Sequence, residues 1–403
     1  MISPFAKPLY VMAKPAGAMC NLRCEYCYYL EKQFLYKGDG QKDFMSDDLL
    51  EHYIKEYIST QTTEEVQFCW HGGEPLLRER AFYEKALKLQ GHYAQGHKID
   101  NVIQTNGYLI NDEWARFFAQ HHFLVGVSID GPKEYNDGYR ISAGGKPTWE
   151  RVMKGIECLN RYNVEWNAMA VVNNLNADHP LEFYRFFKQI GCKFIQFTPI
   201  VERIVAHADG RHLANPQDTH DWTLAPFSVT PQQWGSFLCT IFDEWVHNDV
   251  GEIFVQMFDS TLANWMGVTP SVCSLAKDCG HAGVMEHNGD IYSCDHFVFP
   301  EYKLGNIREN TIVELMYGEK QKSFGRMKQG SLPEQCQKCE WLFACNGECP
   351  RNRFMKTTQG ERGLNYLCGG YHKFFEHAAP YFDIMKRLLQ NEQPPSLIMK
   401  MLS

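Results

Sequence analysis

Six short apolar runs separated by longer amphipathic stretches fill the first half of this chain, and that alternation restricts its fold more than any other feature. The runs cover residues 9–13, 66–70, 101–104, 124–129, 164–172 and 194–199. They are rich in Val, Ile, Phe or Trp, and most end in Gly, Asn, Asp or Pro, as strands do. Between them, residues 47–59, 79–93, 112–121, 148–162 and 180–190 show helical periodicity, the third following Asn111 as a cap and the fourth following Pro147. Strands alternating with helices make repeated βαβ units, and right-handed crossovers turn these into a parallel sheet. Periodicity leaves open whether that sheet is doubly wound or curled into a full or partial barrel.

The pattern stops after Val201. Residues 202–230 are polar and irregular, a length of connection that is uncommon in a compact domain and often functional. Helical patterning returns at 232–246 and again at 374–389, ahead of a break at Pro394 and Pro395 and a frayed tail. The chain divides accordingly into an α/β domain over 1–225, a helical linker over 226–270 and a small cysteine-rich module over 271–403. With 40 basic against 48 acidic side chains, the net charge is −8 and no basic run stands out, so nucleic acid is excluded as a partner. No stretch has the roughly 18 uninterrupted apolar residues of a membrane span. The N-terminal segment, broken by Pro4, Pro8 and Pro15 and carrying Lys7 and Lys14, does not read as a signal peptide. A cytoplasmic protein is expected, and there an odd count of 15 cysteines points to metal or cluster ligation rather than disulfides.

Cys20, Cys24 and Cys27 fall directly after the first apolar run, at the carboxyl end of a strand, where parallel α/β sheets and barrels carry their active sites. Three thiolates can hold three irons of a [4Fe–4S] cube and leave the fourth iron open. A zinc knuckle is the competing use, but structural zinc wants four ligands and no further Cys or His follows at zinc-like spacing.

This C-x3-C-x2-C spacing, with Tyr26 before the last Cys, resembles the signature of radical S-adenosylmethionine (SAM) enzymes. The resemblance implies a partial (β/α)6 barrel over residues 5–225, with SAM chelated by the open iron and cleaved reductively to a 5′-deoxyadenosyl radical. Gly72, Gly73 and Glu74, followed by Pro75, resemble the family's glycine-rich turn, whose bare backbone approaches the SAM amino group. On the same resemblance Ser128 and Asp130 lie at the ribose, Arg140 at the carboxylate, and Tyr26 and Val201 beside the adenine.

Beyond Pro270, Cys279, Cys294, Cys336, Cys339, Cys345, Cys349 and Cys368 resemble the seven-cysteine SPASM module of peptide-modifying radical SAM enzymes, with Cys273 as an eighth ligand. C-x2-C pairs also serve zinc ribbons. The resemblance implies two auxiliary [4Fe–4S] clusters, one on Cys273, Cys279, Cys294 and Cys349 and the other on Cys336, Cys339, Cys345 and Cys368, which makes three [4Fe–4S] clusters and SAM in all. Saturated ligation suits the auxiliary pair to electron transfer. Cys69, Cys158, Cys192 and Cys239 are left over as small buried hydrophobes.

Asp295, directly after Cys294, is by position alone a solvated turn residue. Its place resembles that of the catalytic base in anaerobic sulfatase-maturating enzymes, radical SAM enzymes that oxidise a Cys or Ser of a sulfatase to Cα-formylglycine. That resemblance extends over nearly the whole chain, including the segments 104–107, 124–126, 304–307 and 364–366. It implies a sulfatase polypeptide as substrate, an external electron donor such as flavodoxin or ferredoxin, and Tyr29 near the target side chain. His71 is assigned no role. A SPASM maturase that crosslinks peptides through thioether or carbon–carbon bonds is the nearest alternative, and a non-enzymatic iron–sulfur carrier or zinc adaptor is the more distant one.

Overall fold

The computed structural model describes residues 8–36, 44–207, 210–215 and 221–402; Pro4 and Lys7 of the N-terminal segment and parts of the polar stretch 202–230 lie outside these. In chain order, β1 (Tyr10–Ala13), β2 (Glu65–Trp70), β3 (Lys98–Thr105), β4 (Leu124–Ser128), β5 (Trp166–Val172) and β6 (Phe194–Pro199) alternate with helices Asp47–Ser59, Arg80–Tyr93, Asp112–Gln120, Trp149–Arg161 and Pro180–Gln189. A short extra helix, Lys133–Tyr139, has no counterpart in the periodicity because it holds too few apolar residues to show one.

The chain packs as two compact units, each assembled from separated segments. The first takes residues up to 128 together with 139–166 and 280–325. Its sheet runs β4-β3-β2-β1 with parallel pairing and continues past β1 into strands Ala282–Met285, Asp290–Tyr292 and Lys303–Asn306. The linear division at 225 and 270 is therefore not the division of contacts. β1 would otherwise present an open edge, and Ala282–Met285 pairs with it in parallel, Ala13 opposite Met285. Helix Asp47–Ser59, capped by the Ser46 side chain on the Leu49 N–H, buries Tyr53 and Tyr57 and fixes their hydroxyls on the Val11 and Leu9 carbonyls at 2.8 and 3.2 Å.

The second unit takes 129–138, 167–279 and 326–403. Here β5 and β6 pair in parallel and Phe254–Val255 extends them. The segment expected to be irregular after Val201 holds a small antiparallel sheet of Arg203–His207, Gly210–Leu213 and Trp222–Leu224. Helix Pro231–Asn248 starts at a capping box of Thr230 and Gln233 with Pro at its first position. The last long helix begins earlier than its apolar periodicity suggests, at Cys368, and runs to Gln390. The tail expected to fray carries a further short helix, Ile398–Leu402.

These two long helices meet through glycine. A Cβ on Gly370 would sit 2.4 Å from the Pro231 carbonyl oxygen and 3.0 Å from the Gly235 nitrogen, both backbone atoms that cannot rotate away. Gly370→Ala is expected to destabilise the protein by about 1–3 kcal/mol through overpacking. Gly369→Ala, whose Cβ would meet only Pro231 Cβ at 4.0 Å, is the neutral control. Thermal denaturation followed by circular dichroism compares the two; equal midpoints would refute the close approach.

Candidate active site

The cysteine loop leaves β1 and is pinned to residues 139–143. The Arg23 N–H donates to the Ile141 carbonyl at 2.8 Å, the Glu25 N–H to the Tyr139 carbonyl at 3.2 Å and the Ala143 N–H to the Asn21 carbonyl at 2.9 Å. Cys24 is buried, while Cys20 and Cys27 are half-buried. Cys20 lies within electrostatic reach of both, and burial, followed by the nearby Glu74 carboxylate, pushes its thiol up to about 12. The Leu22 N–H points at its sulfur at 3.3 Å, and the Asn106 side-chain amide approaches at 3.6 Å. Three neighbouring thiols, one of them already met by N–H donors, fit an iron–sulfur site, where bound iron replaces the thiol protons and donors to sulfur tune the centre.

The glycine-rich turn crosses this loop so closely that its glycines are needed for protein packing. The Gly73 N–H donates to the Gly17 carbonyl at 2.8 Å and the Glu74 N–H to the Met19 carbonyl at 2.8 Å. A Cβ on Gly73 would sit 2.1 Å from the Met19 oxygen, and Gly72 adopts φ +122° with its Cβ direction 2.9 Å from the Gly17 oxygen. Glu74 is fully buried, and its carboxylate accepts from the Leu76 N–H (2.9 Å), the Thr105 hydroxyl (2.8 Å) and the Asn106 N–H (2.8 Å). Burial nevertheless pushes it up to about 7. Of the SAM contacts read from the sequence, the Glu74 side chain is thus committed to tying the turn to the end of β3.

Tyr26 and Arg140 are brought together, with the guanidinium carbon 5.6 Å from the ring centroid and both residues buried. The Arg140 carbonyl is held by the Thr148 hydroxyl at 2.6 Å. Ser128 closes β4, half-buried. Asp130 and Val201 belong to the second unit; both are buried, and the Asp130 carboxylate accepts the Val171 N–H at 2.9 Å.

Asp295 opens a 3-10 turn after Cys294, and its carboxylate contacts two groups that the sequence reading did not single out, the ammonium of Lys14 and the hydroxyl of Tyr28. Lys14 is the residue after β1 and Glu286 the residue after Met285, so the parallel register that pairs Ala13 with Met285 sets them side by side. The Lys14 N–H donates to the Met285 carbonyl at 2.9 Å, and its Nζ lies 3.5 Å from Glu286. The same Nζ stands 3.5 Å from the ring centroid of Tyr29, whose hydroxyl donates to Glu286 at 2.6 Å. Tyr29, expected near the target side chain, is buried with its hydroxyl on Glu286, while the Tyr28 hydroxyl contacts Asp295.

Two acids share one cation in this row. Burial acts to raise Asp295, but Lys14, His71 and His296 together outweigh it and hold the carboxyl well below the usual carboxylate range. Burial pushes the Tyr29 phenol up, with Glu286 adding to it, so it stays a donor. His71, set aside in the sequence reading, faces the same charges. Burial lowers its imidazole, and its Nδ1 accepts the Gly72 N–H at 2.7 Å, which leaves the ring hydrogen of the neutral form on Nε2. One signal for this row was available in the sequence: Lys14 is a charged residue directly continuing an apolar strand, which places it inside the fold.

The remaining cysteines group by unit. Cys336, Cys339, Cys345 and Cys368 lie in the second unit; Cys368 senses the charge of Cys336 and Cys339, and Cys345 that of Cys368 and Cys336. Cys279 senses Cys273, and the guanidinium of Arg353 faces Glu348 first and then Cys349, Cys345 and Cys279. Cys294 belongs to the first unit. Lys328 is fully buried and donates to the carbonyls of Cys273 (2.9 Å), Ser274 (2.7 Å) and Ala276, with no acidic partner among the described residues. Buried cations satisfied only by carbonyls suit thiolate-ligated clusters, which are anions. No helix among the described residues is long and apolar enough to cross a membrane.

Residues 15–187 match the Radical SAM superfamily model and residues 279–340 match the SPASM model, an iron–sulfur cluster-binding domain. The chain is a radical SAM oxidoreductase with the α/β partial-barrel fold of that class and a SPASM domain. It is 63% identical over 99% of its length to a serine-type anaerobic sulfatase-maturating enzyme of Bacteroides thetaiotaomicron, of which it covers 96%. A cysteine-type anaerobic sulfatase-maturating enzyme of Clostridium perfringens is 33% identical over 93% of the chain and 97% of that protein. The solved structure of native anSMEcpe with bound AdoMet and Cp18Cys peptide superposes with a TM-score of 0.82 at 32% identity, covering 95% of this chain and all of that one. The chain belongs to the anaerobic sulfatase-maturating enzyme family.

Removing the shared cation tests the row of charges. Lys14→Met leaves Glu286 and Asp295 without their counter-charge and is expected to cost about 3–5 kcal/mol. Lys14→Arg should recover part of that loss. Anaerobic urea denaturation of the reconstituted protein measures it, and a wild-type midpoint for Lys14→Met would show that the ammonium holds nothing in place.

Proposed function

We propose that this enzyme matures sulfatases by oxidising a seryl side chain to Cα-formylglycine, with Asp295 as the proton acceptor. The observation that carries the reading is the Lys14–Asp295–Tyr28 contact set, which puts an ionised carboxylate on the residue next to a cluster-ligand candidate. Serine is favoured over cysteine because the relative at 63% identity is serine-type, while the cysteine-type relatives lie at 33–34%. The expected substrate is an extended peptide with the target residue followed by Pro and Arg, held partly through its backbone.

The oxidation removes one hydrogen atom from Cβ, one electron, and the hydroxyl or thiol proton, leaving a carbon–oxygen or carbon–sulfur double bond. Cys20, Cys24 and Cys27 and the eight distal cysteines would hold three [4Fe–4S] clusters, which together with bound SAM would supply hydrogen-atom abstraction and electron acceptance. Asp295 takes the proton. Held low by Lys14, it is a weak base that enters the reaction ionised. That suffices because a hydroxyl or thiol on a radical-bearing carbon is far more acidic than in the parent side chain. Lys14 and Tyr28 fix the direction of the carboxylate, and Tyr26 with Arg140 forms the aromatic and cationic wall expected for the adenine and carboxylate of SAM. An external protein such as flavodoxin or ferredoxin is the expected source of the activating electron.

Anaerobic incubation of the reconstituted enzyme with SAM, dithionite and matched Ser and Cys peptides tests the reading. A hydrazine-reactive aldehyde should form from the Ser peptide. A crosslinked product without aldehyde would replace this reading with that of a crosslinking maturase. Asp295→Asn keeps the size of the carboxylate but cannot accept the proton. Deoxyadenosine should still form, while aldehyde falls at least a hundredfold; wild-type aldehyde from this variant would remove Asp295 from the mechanism. Iron near twelve atoms per chain is expected from three four-iron clusters, and iron for one cluster only would defeat the auxiliary pair.

A further inference from the structure

Tyr371 lies three residues after Cys368 on the helix Cys368–Gln390, so the two side chains share a helix face. The residue is 1% exposed, yet its hydroxyl hydrogen meets no acceptor among the described residues. A buried hydroxyl left this way is strongly unfavourable. The groups whose charges it faces are Glu348, Cys345 and Cys349. The indole nitrogen of Trp234 is also beside it, but an indole only donates and offers the phenol hydrogen no acceptor. The Glu348 carboxylate is engaged by the side-chain amide of Asn365 at 2.8 Å. The other carboxylate oxygen stays open, but the phenol makes no hydrogen bond to it, and the remaining acceptors it faces are the sulfurs of Cys345 and Cys349.

We propose that Tyr371 donates its phenolic hydrogen bond to sulfur of the iron–sulfur cluster held by Cys336, Cys339, Cys345 and Cys368, and so raises the reduction potential of that cluster. The inference rests on the auxiliary-cluster assignment and not on the identity of the peptide product. Adding an electron makes the cluster more negative and its sulfurs better acceptors, so a fixed donor stabilises the reduced form more than the oxidised form. A cluster tuned upward in this way accepts an electron more readily. Tyr371 is a positioning and tuning residue that touches neither peptide nor SAM in this reading.

Tyr371→Phe removes the oxygen and keeps the ring with its edge contact on Trp234 (6.0 Å) and its stack on Phe375 (6.1 Å). Anaerobic holoprotein of both forms is assayed for iron and then titrated electrochemically under electron paramagnetic resonance. The expected result is full iron and one auxiliary cluster shifted to lower potential. Its reduced-to-oxidised ratio at the wild-type midpoint should fall three- to tenfold, tenfold being about 59 mV for a one-electron couple. The cluster of Cys20, Cys24 and Cys27 should keep its potential. Unchanged potentials in a fully loaded variant would overturn the proposal. Iron for fewer than three clusters in the wild type would overturn the cluster assignment itself. Should the variant lose iron, pulsed resonance of reduced wild type in D2O decides: a coupled exchangeable deuteron that supports the proposal, or none, which refutes it.

Discussion

The ammonium of Lys14 carries a positive charge where water does not reach, and the first unit is arranged around neutralising it. One strand pairing does most of this. Ala282–Met285 lies parallel to β1 with Ala13 opposite Met285, and continuing each strand by one residue sets Lys14 against Glu286. A hairpin later, the chain returns with Asp295 to the same ammonium. An acid about 280 positions away in sequence thereby reaches the end of the strand that launches the cysteine loop. Breaking a buried pair of this kind costs several kcal/mol, so the site and the strand pairing stand or fall together.

The tyrosines complete this balance and decide which acid is available for chemistry. Glu286 is fully buried and accepts the Tyr29 hydroxyl through both oxygens at 2.6 Å, which leaves it as a structural counter-charge. Asp295, about one-fifth exposed at its side chain, contacts Tyr28 and is the more open of the two acids, as the proposed role requires. Adjacent tyrosines after Cys27 thus serve opposite purposes. Their side chains diverge because the loop turns at this point: Cys27 closes a turn on the Cys24 carbonyl at 3.0 Å before the chain enters the 3-10 segment Leu30–Tyr36.

The sequence discloses the elements far better than their neighbours. The six strands and five helices of the first half stand within a few residues of their periodicity, because each buries a face whose spacing is written locally. The cysteine motifs are equally legible, since ligand spacing is a local property. Lys14, Tyr28 and Glu286 were not, because their roles depend on a register between strands some 270 residues apart, and strands of three or four residues leave almost no alternation to read. The same limit hid the small sheet after Val201, built of strands as short as three residues in a polar segment. The burial of Glu74 and its three donors are visible only once β3 is placed beside it.

The two cysteine regions differ in how their charge is balanced, and that difference matches the division of labour the proposed reaction would need. Around Asp295 the buried groups are acids sharing one cation with phenols and imidazoles, a set that can take up or release a proton without leaving an uncompensated charge. Around the distal cysteines the buried groups include Lys328 and Arg353, whose hydrogen bonds go mainly to carbonyls. Cations in these positions stabilise an anionic centre and make it easier to add an electron. Proton uptake needs groups that can change charge, and electron uptake needs fixed charges that do not. The chain supplies the first from the ends of paired strands and the second from carbonyl-rich turns, where Lys328 is buried on carbonyls alone and Arg353 lies beside a single acid, Glu348.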